Sequence, residues 1–60
     1  MRCILVKQED FDRLSTSVIE DKGIKDYKFG FDANGLHFIY WKKLMDFFKE
    51  NGIAYKVVEQ

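Results

Sequence analysis

The stretch KFGFDANGLHFIYW, residues 28–41, decides the fold, because aromatic side chains lie on both sides of a single Asn-Gly pair. Asn and Gly accept positive φ at both central positions of a type I′ turn, which joins adjacent antiparallel strands. The pair Asn34-Gly35 therefore predicts a β-hairpin with a two-residue loop. One alternative stays open, in which residues 36–50 form a continuous amphipathic helix.

The predicted loop fixes which side chains share a face of the hairpin. In its register Phe31 lies opposite Phe38, and Asp32 lies opposite His37. Successive residues of a strand point to opposite faces. One face then carries the rings of Tyr27, Phe29, Phe31, Phe38 and Tyr40. The other face carries Lys28, Gly30, Asp32, His37 and Ile39. We expect helices to cover the aromatic face, so that its rings form the core.

The flanking segments predict the remaining elements. They are a strand at residues 3–7 (CILVK), a helix at residues 9–23 (EDFDRLSTSVIEDKG), a helix at residues 42–51 (KKLMDFFKEN) and a strand at residues 53–58 (IAYKVV). In the first helix Phe11, Leu14 and Val18 recur at helical spacing. The two predicted helices are expected to end at Gly23 and Gly52. The first strand is an apolar run typical of a strand buried on both faces.

Together these elements predict a single small α+β domain over residues 1–60, with a three- or four-stranded antiparallel sheet and two helices packed on one face. The segments DKGIKDYKF (21–29) and ENGIAYKVV (50–58) both run from Gly-Ile into Tyr-Lys. This weak internal repeat makes the chain compatible with the ferredoxin-like β-α-β-β-α-β order.

Composition narrows the classes of function. Ten basic and ten acidic side chains cancel, whereas nucleic-acid-binding domains commonly carry a basic excess. No apolar run reaches the ~20 residues of a membrane span, and the first ten residues do not have the pattern of a signal peptide. A lone cysteine excludes an internal disulfide and suits a reduced, cytoplasmic setting. A core of this size rarely supplies more than ~3–5 kcal/mol, which favours association with another chain.

No set of residues assembles a catalytic or cofactor site in the sequence. Cys3 and His37 are the only cysteine and histidine, and they form a nucleophilic pair only if their strands are neighbours. A cysteine inside a buried strand behaves as a small apolar side chain, and a cross-strand pair of His37 with Asp32 is the simpler arrangement. We therefore expect no enzyme activity, no cofactor, no metal and no small-molecule substrate.

The face of the hairpin opposite the rings is the predicted protein-binding surface. In the predicted register Ile39 lies opposite Gly30 and Trp41 opposite Lys28, and a sheet covered on one side leaves such residues open to a partner. The candidate residues are Lys28, Gly30, His37, Ile39, Trp41, Lys56 and Val58. The expected function is stoichiometric binding, as a regulator, inhibitor or adaptor, to another protein or to a second copy.

A nucleic-acid-binding domain is the alternative function. It would use exposed aromatic side chains of the sheet together with lysines, namely Lys28, Lys42, Lys43, Lys49 and Lys56. Binding of this kind weakens steeply as salt rises. The zero net charge makes it the less favoured of the two interpretations.

Overall fold

A computed structural model describes residues 1–59 of the chain as one four-stranded sheet with three α-helices. The elements are β1 (Arg2–Val6), α1 (Gln8–Phe11), α2 (Thr16–Asp21), a 3-10 helix (Ile24–Tyr27), β2 (Lys28–Asp32), β3 (Gly35–Ile39), α3 (Lys42–Glu50) and β4 (Tyr55–Glu59). The sheet is antiparallel and its strand order is β2-β3-β1-β4. The predicted α+β class and antiparallel sheet are confirmed, whereas the helices number three instead of two.

The core lies on one face of the sheet. Residues of the two central strands on this face are Ile4, Val6, Leu36 and Phe38. The helical layer adds Ile19, Ile24, Leu44 and Phe48. The ring of Phe38 lies 5.5 Å from that of Phe11 in α1 and 5.2 Å from that of Phe48 in α3. Helices that precede and follow the hairpin therefore pack on the same side of the sheet.

The helix predicted over residues 9–23 is interrupted. α1 ends at Phe11, and α2 begins after Ser15, whose hydroxyl oxygen accepts a hydrogen bond of 3.3 Å from the backbone N–H of Val18. Serine is a favoured N-cap because its side chain satisfies an N–H that has no partner within the helix. Phe11 and Leu14 are partly buried and pack against the core, so the helical spacing predicted their inward side correctly although the helix is not continuous.

The continuous helix considered for residues 36–50 is wrong. β3 pairs with both β1 and β2, and α3 begins only at Lys42. Within α3, Leu44 and Phe48 are buried and Phe47 packs partly against the core, in agreement with the predicted inward side. α3 is the longest helix, and no helix within residues 1–59 has the length and apolar character needed to cross a membrane.

The predicted hairpin is present, but its loop lies one residue earlier than expected. Asp32 pairs with Gly35, so the loop consists of Ala33 and Asn34. The Asp32 carboxylate accepts a hydrogen bond of 2.7 Å from the backbone N–H of Asn34, which fixes the loop. Gly35, at φ 139°, is the first residue of β3, where a Cβ would collide with the carbonyl oxygen of Val6. Glycine is therefore needed inside the strand and not in the loop.

β2 contains a bulge that the sequence did not predict. Lys28 pairs with Phe38 and Gly30 pairs with His37, which leaves Phe29 as an extra residue on β2. A bulge of this kind interrupts the alternation of side chains between the two faces of a sheet. The faces assigned from a regular strand are therefore incorrect for the residues before the bulge.

The predicted face of five buried rings is only partly correct, because Phe38 and Tyr27 pack in or against the core whereas Phe29, Phe31 and Tyr40 are exposed. The bulge accounts for Phe29, and the place of Phe31 on a border strand accounts for its exposure. Phe38 is fully buried, but Phe29 is half exposed and Phe31 is 73% exposed. The ring of Phe29 lies 5.9 Å from that of His37, on the side of the sheet away from the helices. Phe31 pairs with Leu36 instead of Phe38 and lies at the uncovered border of the sheet. Aromatic residues of the hairpin thus supply both core and surface.

Candidate functional site

The sheet face opposite the helices is built from the residues that alternate with the core positions. One row across it contains Ile39, Cys3 and Val58, and a second row contains Gly30, His37, Leu5 and Lys56. Phe29 lies beside His37 at the bulge. We call these eight residues the open face, because none of the helices within residues 1–59 packs on it.

Apolar side chains of the open face remain partly exposed. Ile39 is 49% exposed and Phe29 is similarly exposed, while Leu5 and Val58 are half buried between them. Lys56 is the only charged residue of the open face and lies at its β4 margin. Single exposed apolar residues are ordinary on a protein surface, whereas large contiguous apolar patches are a feature of interaction sites. The open face groups four partly exposed apolar side chains on one surface.

A chain of polar contacts crosses the middle of the open face. Cys3 Sγ lies 3.6 Å from His37 Nδ1, and His37 Nε2 lies 2.9 Å from Asp32 Oδ2. In the tautomer that carries its proton on Nε2, the ring donates towards the carboxylate and Nδ1 accepts from the thiol. The predicted contact between His37 and Asp32 is thus present, although the two residues are not directly paired in the sheet.

The same chain has the order of groups found in nucleophilic sites, namely thiol, imidazole and carboxylate. However, Cys3 is 0% exposed and His37 is buried. A substrate atom must reach the sulfur before a thiol can act as a nucleophile, and here neighbouring side chains close over it. The arrangement links β1, β3 and the end of β2. No three His, Cys, Asp or Glu side chains among the described residues are placed to hold a metal ion.

The environment of Asp32 favours its charged form. The hydrogen bond from the Asn34 N–H is the largest cause of a lowered pKa at Asp32, and the His37 side chain lowers that pKa further. A carboxylate that accepts hydrogen bonds is stabilised relative to the neutral acid. Asp32 therefore carries a negative charge at the β2 margin of the open face.

Five of the seven candidate residues lie together on the open face, and two do not. The five are Gly30, His37, Ile39, Lys56 and Val58. Lys28 pairs with Phe38 and so lies on the helix side, because the bulge reverses its face. Trp41 lies two residues after the end of β3, and its ring lies 4.9 Å from that of Tyr27 in the helical layer. The predicted place of Trp41 beside Ile39 is wrong, because the chain leaves the sheet there to begin α3.

The sequence-based set also omitted residues that the open face contains. Phe29 was assigned to the core, and only knowledge of the bulge would have moved it to the surface. Cys3 and Leu5 did carry a signal, because they alternate with Ile4 and Val6 along β1. The apolar character of both sets concealed this alternation, since it is typical of a strand buried on both faces.

The lysines of the alternative function lie on both sides of the sheet, four of them on the helix side. Lys42, Lys43 and Lys49 belong to α3, Lys28 lies on the helix side of β2, and Lys56 lies on the open face. Lys42 is engaged with Asp46 at 3.4 Å, and the ammonium group of Lys43 lies 5.7 Å from the centre of the Trp41 ring. A nucleic-acid strand bound on the open face would therefore meet only Lys56 of this set.

Comparison of the chain with protein-family models, curated proteins and solved structures finds no match. The open face therefore carries the functional proposal alone.

Proposed function

We propose that the protein is a stoichiometric protein-binding module, a small regulator, inhibitor or adaptor without catalytic activity, and that the open face is its contact surface. One observation carries this proposal. Ile39 and Phe29 are half-exposed apolar residues on a sheet face that no described helix covers. Removing apolar surface from water contributes roughly 25 cal/mol per Å², so a partner that covers this face gains free energy.

The distribution of polarity on the open face supports the same function. The middle of the open face is apolar or buried. Charged side chains occur at its margins, namely Asp32 at the end of β2 and Lys56 on β4. Protein interfaces commonly combine an apolar centre with a polar rim. The buried contact between Cys3 and His37 also ties neighbouring strands together, and a rigid surface loses little conformational entropy when a partner binds.

A ferredoxin-like arrangement is the finer fold that we propose. Its support is the element order, in which helices separate β1 from β2 and β3 from β4, together with the central position of β1 and β3 in the sheet. The connection between β1 and β2 departs from that pattern, because it contains two short α-helices and a 3-10 helix instead of one helix. A cytoplasmic location is likewise a proposal, supported by the single buried thiol of Cys3.

Two matched substitutions test the contact surface. Ile39 is 49% exposed on the open face, and Val57 is 43% exposed on the opposite face, where it pairs with Ile4. Ile39→Asp and Val57→Asp place the same charge at strand positions of nearly equal exposure. We expect Ile39→Asp to weaken capture of any partner, whether another protein or the chain itself, by about tenfold or more. Val57→Asp should retain capture.

The readout is capture by immobilised variants from a cell extract and from a solution of the pure chain, after circular dichroism has shown that both variants fold. Equal capture by wild type and Ile39→Asp would contradict the proposal. Retention of short nucleic acids that weakens steeply with salt would instead favour the alternative function.

A further inference from the structure

We infer that the partner of the open face is a second copy of this chain, related to the first by a two-fold axis parallel to the strands. The two sheets then pack face to face, with one helical layer on each outer side. This inference rests on the proposed function, because it names the occupant of the surface proposed there. Three observations carry it: the match of residue sizes, an open hollow at Gly30 and complementary charges.

The residue sizes on the open face are complementary under this symmetry. An axis above the middle of the sheet, between β3 and β1, places β2 over the second copy's β4 and β3 over its β1. The resulting pairs are Ile39 with Cys3 of the second copy, His37 with Leu5 of the second copy, and Gly30 with Lys56 of the second copy. The first and last of these pairs set a larger side chain against a smaller one, as interdigitating faces of packed sheets require.

Gly30 supplies a hollow on the open face. A Cβ built on Gly30 meets nothing within 4 Å, and this glycine does not have positive φ. The space above it is therefore free in a single copy and does not serve the fold of that copy. The aliphatic stem of Lys56 from the second copy fills this space in the face-to-face arrangement, while its ammonium group extends towards solvent.

The charges at the margins are complementary under the same axis. Asp32 lies two residues beyond Gly30 along β2, and its Oδ2 contacts His37 on the open side of the sheet. The ammonium group of the second copy's Lys56 therefore lies close to a half-exposed carboxylate, and symmetry forms this ion pair twice. An axis across the strands would instead stack β4 on β4 and bring the two Lys56 side chains together without a carboxylate. Charge favours the axis parallel to the strands.

The size of the open face sets the expected strength of the dimer. Four strands of five residues form a face of about 19 by 17 Å, and specific interfaces usually cover about 800 Å² on each partner. The whole chain exposes 4245 Å². The outline of the open face encloses only about 320 Å², less than half of the usual interface area, so the dimer is a weak association and we expect a dissociation constant on the order of 100 μM.

Sedimentation equilibrium over a range of concentrations tests the inference. We expect the wild-type mass to double as concentration rises to on the order of 1 mM. Gly30→Val places a side chain in the hollow, where its Cβ has open space in its own copy, and Lys56→Glu places like charges together. Each should raise the dissociation constant about tenfold or more. Val57→Asp and Lys49→Glu make comparable changes on the helix side and should leave the constant within about twofold of wild type.

A cross-linking experiment tests the orientation. Residues 30 and 56 lie on the two border strands of one copy, about 14 Å apart, which is too far for an internal disulfide. In a Cys3→Ala background, the pair Gly30→Cys and Lys56→Cys should form a covalent dimer on mild oxidation. The control pair Gly30→Cys and Val57→Cys places one thiol on the opposite face and should form little.

The outcomes separate the inference from the proposed function. A wild-type chain that stays monomeric at on the order of 1 mM, or unchanged dimerisation by Gly30→Val and Lys56→Glu, would overturn the second copy as partner. If that monomeric chain still captures a different protein in a manner lost with Ile39→Asp, the open face remains the contact surface. Loss of both behaviours would remove the proposed function as well.

Discussion

Asp32 stabilises two parts of the hairpin at once, because its two carboxylate oxygens have different partners. Oδ1 accepts the N–H of Asn34 in the loop, and Oδ2 lies 2.9 Å from His37 Nε2 in β3. Both contacts favour the ionised carboxylate, and they lower the pKa of Asp32 below its usual value of 3.8. The charge state of this residue is therefore linked to the stability of the fold.

The first prediction concerns the acid side of the stability profile. A carboxyl group whose pKa is depressed in the folded state contributes stability above its unfolded pKa and loses that contribution as pH falls through the folded value. Asp32→Asn removes this titration. We expect the melting temperature of the wild type to fall more steeply below about pH 4 than that of Asp32→Asn, when both are measured by circular dichroism.

The exposed carboxylate of Asp12 offers the control. Asp12→Asn makes the same change of charge at a helix end away from the hairpin, and its profile should follow that of the wild type. Parallel profiles for wild type and Asp32→Asn would show that the hairpin contacts do not contribute to acid stability.

The second prediction concerns the thiol of Cys3. Because Cys3 is 0% exposed, a thiol reagent reaches it only when β1 opens or the chain unfolds. We expect labelling under native conditions to be slower than in denaturant by on the order of 100-fold or more, given ~3–5 kcal/mol of stability. Labelling is followed by mass spectrometry at fixed pH. Equal rates in the two conditions would mean that Cys3 is accessible in the folded protein.

At the level of elements, the hairpin shows that one pair of residues can identify a turn without locating it. Asn34 and Gly35 predicted a loop, and a loop is present, but Gly35 belongs to β3. The reason lies outside the hairpin, since β1 passes so close to Gly35 that a Cβ would strike the Val6 carbonyl. A contact between distant parts of the chain has no signature in the spacing of the local sequence.

The third prediction compares two glycines of the hairpin. Gly35→Ala introduces a side chain at positive φ and against the Val6 carbonyl, whereas Gly30→Ala enters open space. We expect Gly35→Ala to lower the free energy of unfolding by roughly 1–3 kcal/mol or more. Gly30→Ala should change it by less than about 1 kcal/mol. Urea denaturation of both variants is the measurement, and equal losses would contradict the assigned place of Gly35.

Other elements divide into features that the sequence pattern predicted and features that it did not. The strands, the inward side of α3 and the packing of Phe11 against the core follow from hydrophobic spacing and are confirmed. The bulge at Phe29 and the break before Ser15 were not predicted. Neither irregularity is visible in the spacing of apolar residues along the sequence. Because a bulge changes which face a residue occupies, missing it placed Lys28 on the open face and Phe29 in the core.

At the level of the whole molecule, the sheet separates two surfaces with different tasks. One face meets the helices through Phe38 and Phe48, and the other presents half-exposed apolar residues. A chain of this length buries only ~60% of the surface that its unfolded form exposes, so the core face supplies nearly all of the stability of a single copy. Substitutions on the two faces should therefore have very different effects.

The fourth prediction measures this difference. Phe48 is fully buried in α3, and Phe31 is 73% exposed. Phe48→Ala removes a core ring at a cost of about 3–5 kcal/mol, comparable with the whole stability of such a domain, and should leave the chain largely unfolded at 25 °C. Phe31→Ala should cost less than about 1 kcal/mol. Urea denaturation at low protein concentration compares the two, and a folded Phe48→Ala variant would contradict the assigned core.

The position of Trp41 allows folding to be observed independently of association. Trp41 is the only tryptophan of the chain, and its ring stacks on Tyr27 in the helical layer, across the sheet from Ile39. Unfolding separates the two rings and changes the indole fluorescence, whereas a molecule bound on the far side leaves the surroundings of the indole unaltered. The natural fluorophore thus reports whether a variant is folded, even when that variant can no longer assemble.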